Sequence, residues 1–497
     1  MKSLVDVLFI VPGNSKAVFQ KLGEDFSAIE TPTLAGLFAN YLRRKNCSAL
    51  IADMPGMGME AKDVLRTIAE FNPVLIVVVV QGHQPSASTQ NMPAAGHLCR
   101  AIKLAAPECK VMMVGTHPSA LPERTLREEK VDFVCEGEGP ITVYETLFAL
   151  KFVSSDFGKV SNLWYRDSTG HTVRSKKTTP LINDLDQEFG ITAWDLLPME
   201  NYRAHNWHCF ESIDKRKPYA AIYTSFGCPF SCSFCCINAP FGKSSYRMFS
   251  PNRVIKEIDV LVNKYGVRNI KIIDEMFVLN EAHVMGICDR IIERGYDLNI
   301  WAYARVDTIK DKFLDRLRKA GFGWLALGIE SGSKHVRSSA RKKFSNLDII
   351  RMVRKVQSAG IYIVGNYIFG LPDDTKETMQ ETFDLALEIN AEWANFYCAM
   401  AYPGSALYKI CKGKMPLPDD GGGPGWIGYS QHAYECLPLP TEKLSAAEVL
   451  RFRDKAFQKY FSSAPYLGMN RRKFGEAVVK HIEKMNSIAL RRKLLGD

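Results

Sequence analysis

The sequence predicts an α/β protein. An N-terminal doubly wound parallel sheet is followed by a partial (β/α)6 TIM-like barrel and a helical C-terminal region. Three observations predict it. Short apolar runs alternate with amphipathic stretches over residues 4–150 and again over 218–401, the pattern of parallel sheets covered by helices. The most apolar run, VLIVVVV at 74–80, is too short to span a bilayer and reads as a strand buried on both faces. Four cysteines fall within nine residues, 228–236, just past the apolar run YAAIY.

In the first domain, residues 1–150, the predicted strands are VDVLFIVP, SALIAD, VLIVVVV, KVMMVG and VDFVCEG. Amphipathic LAGLFANYLRRK and AKDVLRTIAEF lie between them. Ligands of such sheets sit outside the carboxyl ends of the strands. The loops there, at 12–14, 80–88, 115–123 and 136–140, are rich in Gly, Pro and small polar residues. Residues 151–217 read as a linker containing a hairpin that turns at Ser168-Thr169-Gly170. Residues 218–401 supply six further strands and five helical stretches, each ending near Gly or Asn. Six βα units predict a barrel with its chemistry on the loops after the strands. Residues 402–497 open with a Gly-rich loop, and two helices are expected near 444–462 and 472–495.

Bulk properties narrow the class. The 497 residues are 46% apolar and 24% charged, a soluble globular balance. Thirteen mostly scattered cysteines in so long a chain point to a reducing compartment, so a cytoplasmic enzyme with no secretory signal and no transmembrane segment is expected. The net charge of +10 has no long basic block. Basic residues cluster at 471–473 and 491–493, where a solvated helix face is expected. Aromatic residues do not interleave with the basic ones, so no nucleic-acid partner is expected.

Cys228, Cys232 and Cys235 form C-x3-C-x2-C. Structural zinc usually adds a second C-x2-C pair or histidines downstream; here there is no second pair and no His within 45 residues. Three thiolates also suit three irons of a [4Fe–4S] cluster, with the fourth iron open for catalysis. Spacing alone leaves both readings standing. Cys236 is a possible fourth ligand, although its neighbour's orientation favours a bystander.

The chain resembles the radical S-adenosylmethionine (SAM) superfamily, whose hallmark is C-x3-C-x-aromatic-C after the first barrel strand, with Phe234 as the aromatic residue here. IIDEMF (272–277), GIESGS (328–333), NYIFGLPDDT (366–375) and AYPGSALY (401–408) resemble the segments after the second, fourth, fifth and sixth strands. The resemblance implies that SAM chelates the open iron and is cleaved by one electron to methionine and a 5′-deoxyadenosyl radical. An electron donor such as flavodoxin or ferredoxin is then expected. Glu330 and Ser331 stand where the family places polar contacts to SAM, and Arg305 where a cation could meet its carboxylate. Asp274 and Glu275 face the same mouth.

Residues 114–140 resemble the cobalamin-binding domain found ahead of many such barrels. Its pattern stands here as Gly115, His117-Pro118, Pro122-Glu123, Val131-Asp132-Phe133 and Gly137-Glu138-Gly139. The resemblance implies cobalamin contacts at Gly115, His117, Pro118, Glu136, Gly137 and Glu138. The Asp-x-His-x-x-Gly motif that supplies a cobalt-ligating His elsewhere is missing, and His83 is the nearest spare imidazole. No cysteine lies on the loop after the first strand, unlike the tRNA methylthiotransferases.

Together these imply a cobalamin-dependent radical SAM C-methyltransferase, in which a substrate radical accepts a methyl group from methylcobalamin. Non-methylating chemistry with the same cofactors (cyclisation, oxygenation, ring contraction) and a non-enzymatic cobalamin or SAM sensor remain the alternatives. The expected substrate is a small molecule: a sugar, a lipid or a natural-product precursor. Trp426, Tyr429 and Tyr434 are candidate walls of its pocket.

Overall fold

The structure, a computed structural model, describes residues 5–13, 15–81, 85–152 and 156–497, leaving aside the side chains of 85–87. His83 lies outside the described residues.

The first sheet comprises β1 (Val7–Val11), β2 (Ala49–Asp53), β3 (Leu75–Val80), β4 (Val111–Gly115), β5 (Phe133–Cys135), β6 (Leu163–Arg166) and β7 (Thr172–Arg174), in the order β2-β1-β3-β4-β5-β6-β7. The first five strands are parallel. β3 is buried along its whole length. Successive residues of a strand point to opposite faces. Leu8, Ile10, Ile76 and Val78 therefore pack into one core, and Val7, Phe9, Leu75 and Val77 into another that continues into the second domain. The expected hairpin forms β6 and β7 and extends the first sheet antiparallel along its β5 edge.

The second sheet comprises β8 (Tyr219–Ile222), β11 (Asn269–Ile272), β12 (Asn299–Ala304), β13 (Phe322–Glu330), β14 (Tyr362–Phe369) and β15 (Trp393–Cys398), all parallel, in the order β15-β14-β13-β12-β11-β8. The outer strands β8 and β15 do not pair, so this is an open barrel. Its helices carry the local signals that start and stop them. Ser250 Oγ accepts from Arg253 N to cap Pro251–Tyr265, which ends at Gly266 with φ 64°. Capping boxes at Ser345 and Thr375 start Asn346–Ser358 and Lys376–Ile389.

The exposed edge of β8 is covered by side chains. Ala221 N donates to Thr31 Oγ1 at 2.9 Å, and Ala221 O accepts from Thr33 Oγ1 at 2.5 Å. Two hydroxyls from the first domain thus replace a neighbouring strand. Beside them Lys271 Nζ, on β11, meets Glu30 Oε1 at 2.6 Å.

The C-terminal region holds three long helices, Ala446–Phe461, Ala464–Phe474 and Glu476–Asn486. The helix expected over 472–495 is broken at Gly475, whose φ of 87° no helix continues. Arg471, Arg472, Lys473, Arg491 and Lys493 are exposed, as a solvated face requires, and Arg492 is the exception. Arg492 is buried, ion-paired with Asp454 and donating to the carbonyls of Gln431 and Ala433.

Candidate active site

The cysteine loop follows a ribbon too short to read in the sequence. Strand β9 (Ser225–Phe226) pairs antiparallel with β10 (Arg247–Met248), and the chain between them forms the loop. Gly227 begins it at φ 82°, where a Cβ would lie 2.6 Å from the Ser245 carbonyl oxygen. Asn238 closes it: Oδ1 accepts from Cys228 N at 3.2 Å, and Nδ2 donates to Cys228 O at 2.9 Å. Cys228, Cys232 and Cys235 line one cleft of about 1550 Å³, its mouth included. Cys236 is buried away from it. Burial pushes the Cys228 thiol up to about 11 and the Cys235 thiol well above the usual range, so metal binding there must release protons. Among the described residues, no three His, Cys, Asp or Glu side chains gather around one ion position. Three soft donors spread along a loop fit a multi-iron cluster, in which each thiolate takes a different metal.

Arg305, just past β12, lies over this loop. Its guanidinium is 3.8 Å from the Phe230 ring centre, and Nη1 is 3.7 Å from Cys232 Sγ. Two 2.9 Å bonds to Asp307 fix its plane. Glu330 also lines the cleft. A bulge in the β13–β14 pairing between Gly328 and Glu330, with Glu330 at φ 67°, turns its carboxylate inward. Lys342 holds it at 2.5 Å and also donates to Gly328 O at 2.8 Å. Both side chains are under 10% exposed. Ser331 does not join them: its hydroxyl packs 3.1 Å from Thr382 Oγ1 and accepts from Ser333 N behind the strand.

Asp274 is structural. It accepts from Thr224 N, Thr224 Oγ1 and Ser225 Oγ at 2.5–2.6 Å; burial raises it to about 6. Its neighbour Glu275 points the other way. Glu275 lines the cysteine cleft and also a second cavity of about 540 Å³ bounded by Gly115, Thr116, Gly137, Glu138 and Tyr223. Its Oε2 is buried without a partner among the described residues, and burial, then Asp274, raises it to about 8. Ile237 is likewise common to both cavities. A third space, about 1140 Å³ at the carboxyl ends of β1, β2 and β3, shares Gln81 and Tyr223 with the second and Phe19 and Gln90 with the cysteine cleft.

The first-domain residues divide. Gly115, at φ 132°, would place a Cβ 2.2 Å from the Val80 carbonyl oxygen, so the chain passes there only without a side chain. Gly115, Gly137 and Glu138 face the interdomain space. Glu138 also accepts from Arg247 Nη2 at 2.6 Å and from Ile182 N at 3.0 Å, joining the domains. Glu136 accepts from Trp164 Nε1 and Arg174 Nε, each at 2.6 Å, and lines a separate pocket with Gly137. His117 and Pro118 are buried in the short helix Thr116–Ala120. The His117 ring pairs through Nδ1 with Thr89 Oγ1 at 3.0 Å and meets Trp426 edge-on at 4.4 Å. Burial pushes it down to about 3, so it stays neutral.

The three aromatic residues expected to wall a substrate pocket do not line the cysteine cleft. Trp426 packs on His117 and Arg124. Tyr429 is fully buried and donates to Asp419, and Tyr434 bonds the C-terminal residue Asp497. Tyr303, Tyr397, Tyr402 and Met400 supply the apolar walls instead. They sit at or just past the ends of β12 and β15, where barrel geometry alone could have located them.

Residues 222–386 match the Radical SAM superfamily, and residues 20–147 match the B12 binding domain. An uncharacterized methyltransferase of Pyrococcus horikoshii is 28% identical over 407 residues, 82% of this chain and 83% of its own. The anaerobic magnesium-protoporphyrin IX monomethyl ester cyclase of Rubrivivax gelatinosus is 25% identical over 83% of this chain and 71% of its own. Among solved structures, the radical SAM methyltransferase TsrM from Kitasatospora setae aligns with a TM-score of 0.65 at 18% identity, covering 84% of this chain and 76% of that one. The cobalamin-dependent radical SAM enzyme OxsB aligns with a TM-score of 0.71 at 15% identity, covering 97% and 72%. With both domains matched in order, and the cysteine cleft adjoining the cavity at the sheet edge, this chain carries a radical SAM domain preceded by a B12 binding domain.

Proposed function

We propose that this protein is a cobalamin-dependent radical SAM enzyme that methylates an unactivated carbon of a small molecule. The observation that carries this is that two spaces adjoin: Glu275 and Ile237 line both the cysteine cleft and the cavity at the carboxyl edge of the first sheet. Cys228, Cys232 and Cys235 would hold three irons of a [4Fe–4S] cluster. Arg305 and Glu330 would flank SAM, and Gly115, Gly137 and Glu138 would line the cobalamin side. Bound there, the cluster with SAM supplies a 5′-deoxyadenosyl radical, and cobalamin supplies a methyl group.

The chain's own residues hold the geometry. Arg305 stays fixed by Asp307, and Lys342 keeps Glu330 turned inward. The walls of Tyr303, Tyr397 and Met400 would limit the water around the bound groups. Closeness of the two chambers suits transfer between groups that must come within a few ångströms. Relatives described as a cytidylyl-2-hydroxyethylphosphonate methyltransferase, a hopanoid C-2 methylase and a tryptophan 2-C-methyltransferase support methyl transfer. None of the thirteen cysteines is disulfide-bonded, which suits a reducing cytoplasm. No helix among the described residues is long and apolar enough to cross a membrane.

The test is metal content after anaerobic purification from cells supplied with cobalamin, followed by incubation with methyl-labelled SAM and a reductant. About four irons and one cobalt per chain are expected, with label passing to cobalamin. Iron without cobalt would refute the methyl-transfer reading. The cyclase relatives favour a second reading, in which substrate is consumed and deoxyadenosine forms without any methyl gain.

A further inference from the structure

Gln431 and His432 bring the C-terminal region to the cysteine cleft. Gln431 is spent on the barrel: its Nε2 donates to Cys398 O at 2.9 Å, and its Oε1 accepts from Cys398 N at 2.8 Å. His432, half-buried, is only partly spent. Its Nε2 lies 3.0 Å from Arg453 Nη2. A guanidinium only donates, so Nε2 is the accepting nitrogen and the proton of the ring sits on Nδ1. The same contact excludes the imidazolium, which has no lone pair to offer. Burial, then the charges of Arg453 and Arg492, also push the ring's protonation well below its usual range. Among the described residues Nδ1 has no partner, and unlike Nδ1 of His208 it is not sealed from solvent.

The ring is held in place. Arg453 is buried, donating from Nε to Phe396 O at 2.8 Å and from Nη1 to Asp454 at 2.6 Å. Arg492 grips the same Asp454 from the other side. Gln20 Nε2 donates to His432 O at 2.7 Å, and the ring leans on Phe19 with centroids 5.7 Å apart. Phe19 lines both the cysteine cleft and the space at the carboxyl ends of β1, β2 and β3. His432 therefore stands where those two spaces meet. Behind it, two guanidiniums against one carboxylate leave a net positive charge, which favours an electron-rich oxygen in front of the ring.

We propose that His432 is a specificity-determining donor of the cleft, its Nδ1–H bonding a carbonyl or carboxylate oxygen of a small molecule whose flat apolar body lies against Phe19, Tyr397 and Tyr402. This deepens the methyl-transfer reading and rests on it for one point, that the cleft seats the substrate. A donor whose tautomer is fixed by a buried cation discriminates strongly, because an analogue without the oxygen leaves the N–H unpaired. Held at the junction, the oxygen would orient the rest of the molecule between the cysteine loop and the first sheet.

The test uses the full chain, purified anaerobically with the metals it retains and labelled with ¹⁵N-histidine. Benzoate, acetophenone and ethylbenzene serve as probes: the first two carry the oxygen, and the third has the same ring without it. One of the ten histidines, assigned by its loss in His432→Asn, is expected to show the neutral Nδ1–H tautomer. The Nε2–H tautomer or an imidazolium at about pH 7 overturns the proposal. Benzoate or acetophenone is expected to shift that N–H signal and to bind about tenfold more tightly than ethylbenzene. Equal binding of the three, or no shift with any of them, overturns it as well. These readings need no variant to fold. His432→Asn places an amide N–H at the Nδ1 position, whereas His432→Phe keeps the ring and neither nitrogen. Both lose the bond to Arg453, so a merely structural role predicts the same behaviour in the two. The donor role predicts that His432→Asn keeps the preference for oxygen-bearing probes and His432→Phe loses it. Absence of methyl transfer from labelled SAM, with tautomer and probe preference intact, would sink the enzymatic reading and leave the donor in place.

Discussion

Replacing Lys342 by Met should strike the cleft through Glu330. The Lys342–Glu330 contact is 2.5 Å long, and both side chains are under 10% exposed. With charge centres ~4 Å apart and an effective dielectric of ~20, the attraction is ~4 kcal/mol. Lys342 also satisfies the Gly328 carbonyl, worth ~1 kcal/mol more. Removing one partner of a buried pair leaves the other charge unsolvated, and such losses run ~3–5 kcal/mol. Lys342→Met should therefore cost the barrel ~3–5 kcal/mol. The barrel transition can be read by urea titration of tryptophan fluorescence, since Trp301, Trp324 and Trp393 sit in its core. The double variant K342M/E330M removes both charges and should recover most of the loss. SAM binding should weaken in both variants, because the inward carboxylate is displaced or gone. A loss below ~1 kcal/mol for Lys342→Met, or a double variant no more stable than the single one, would refute this reasoning.

Three further outcomes follow from the same geometry. Glu275 in the cofactor-free protein is raised from 4.5 to about 8; the folded state then binds the extra proton, so stability is full below pH ~4.5 and falls as pH rises towards about 8. Glu275→Gln should flatten that slope in urea titrations at several pH values, and an unchanged slope would show that Glu275 is not its source. Gly115→Ala forces a Cβ to 2.2 Å from the Val80 oxygen at φ 132°, so cobalt content should drop severalfold while iron stays near the natural level; equal cobalt would mean that the strand end is freer than it stands. Cys235→Ser should abolish most iron binding and Cys236→Ser should leave it largely intact, as measured by iron assay, because Cys236 lies buried off the cleft.

Legibility in the sequence tracked whether the governing interaction was local. The parallel strands, their order of appearance and the cysteine loop all announce themselves within about ten residues, through apolar runs and spacing. Glu330 was placed in the cleft, but Ser331 was not separable from it. In a regular strand neighbours alternate faces, and only the bulge after Gly328, with Glu330 in the left-handed region, decides which one turns inward. Lys342 carried no signal, because its meaning depends on a carboxylate twelve residues away across a turn. The two-residue ribbon β9–β10 is shorter than any periodicity can register. His117 stands in a motif that implied a cofactor contact, yet its ring is satisfied by Thr89 and Trp426. Trp426 comes from a segment roughly three hundred residues away, which no local pattern could supply.

What holds the two chambers in register is a set of contacts that fix orientation. Apolar packing alone lets two domains slide, since it is proportional to area and indifferent to direction. Here the seam carries directional bonds at separated points. Thr31 and Thr33 grip Ala221 on the edge of β8, and Glu30 meets Lys271 inside the barrel. Glu138 holds Arg247 on the ribbon that bounds the cysteine loop, and Arg124 reaches Asp419 in the C-terminal region. Asp419 in turn accepts from Tyr408 and Tyr429, so this anchor is itself braced. Points spread along a seam resist rotation as well as translation. The Glu138–Arg247 contact matters most for the chemistry, because one residue borders the first-sheet cavity and the other sits on the strand paired with the start of the thiol loop. A shift at that bond would change the distance between the two chambers directly, whereas a shift at Arg124–Asp419 would reach them only through the C-terminal cover.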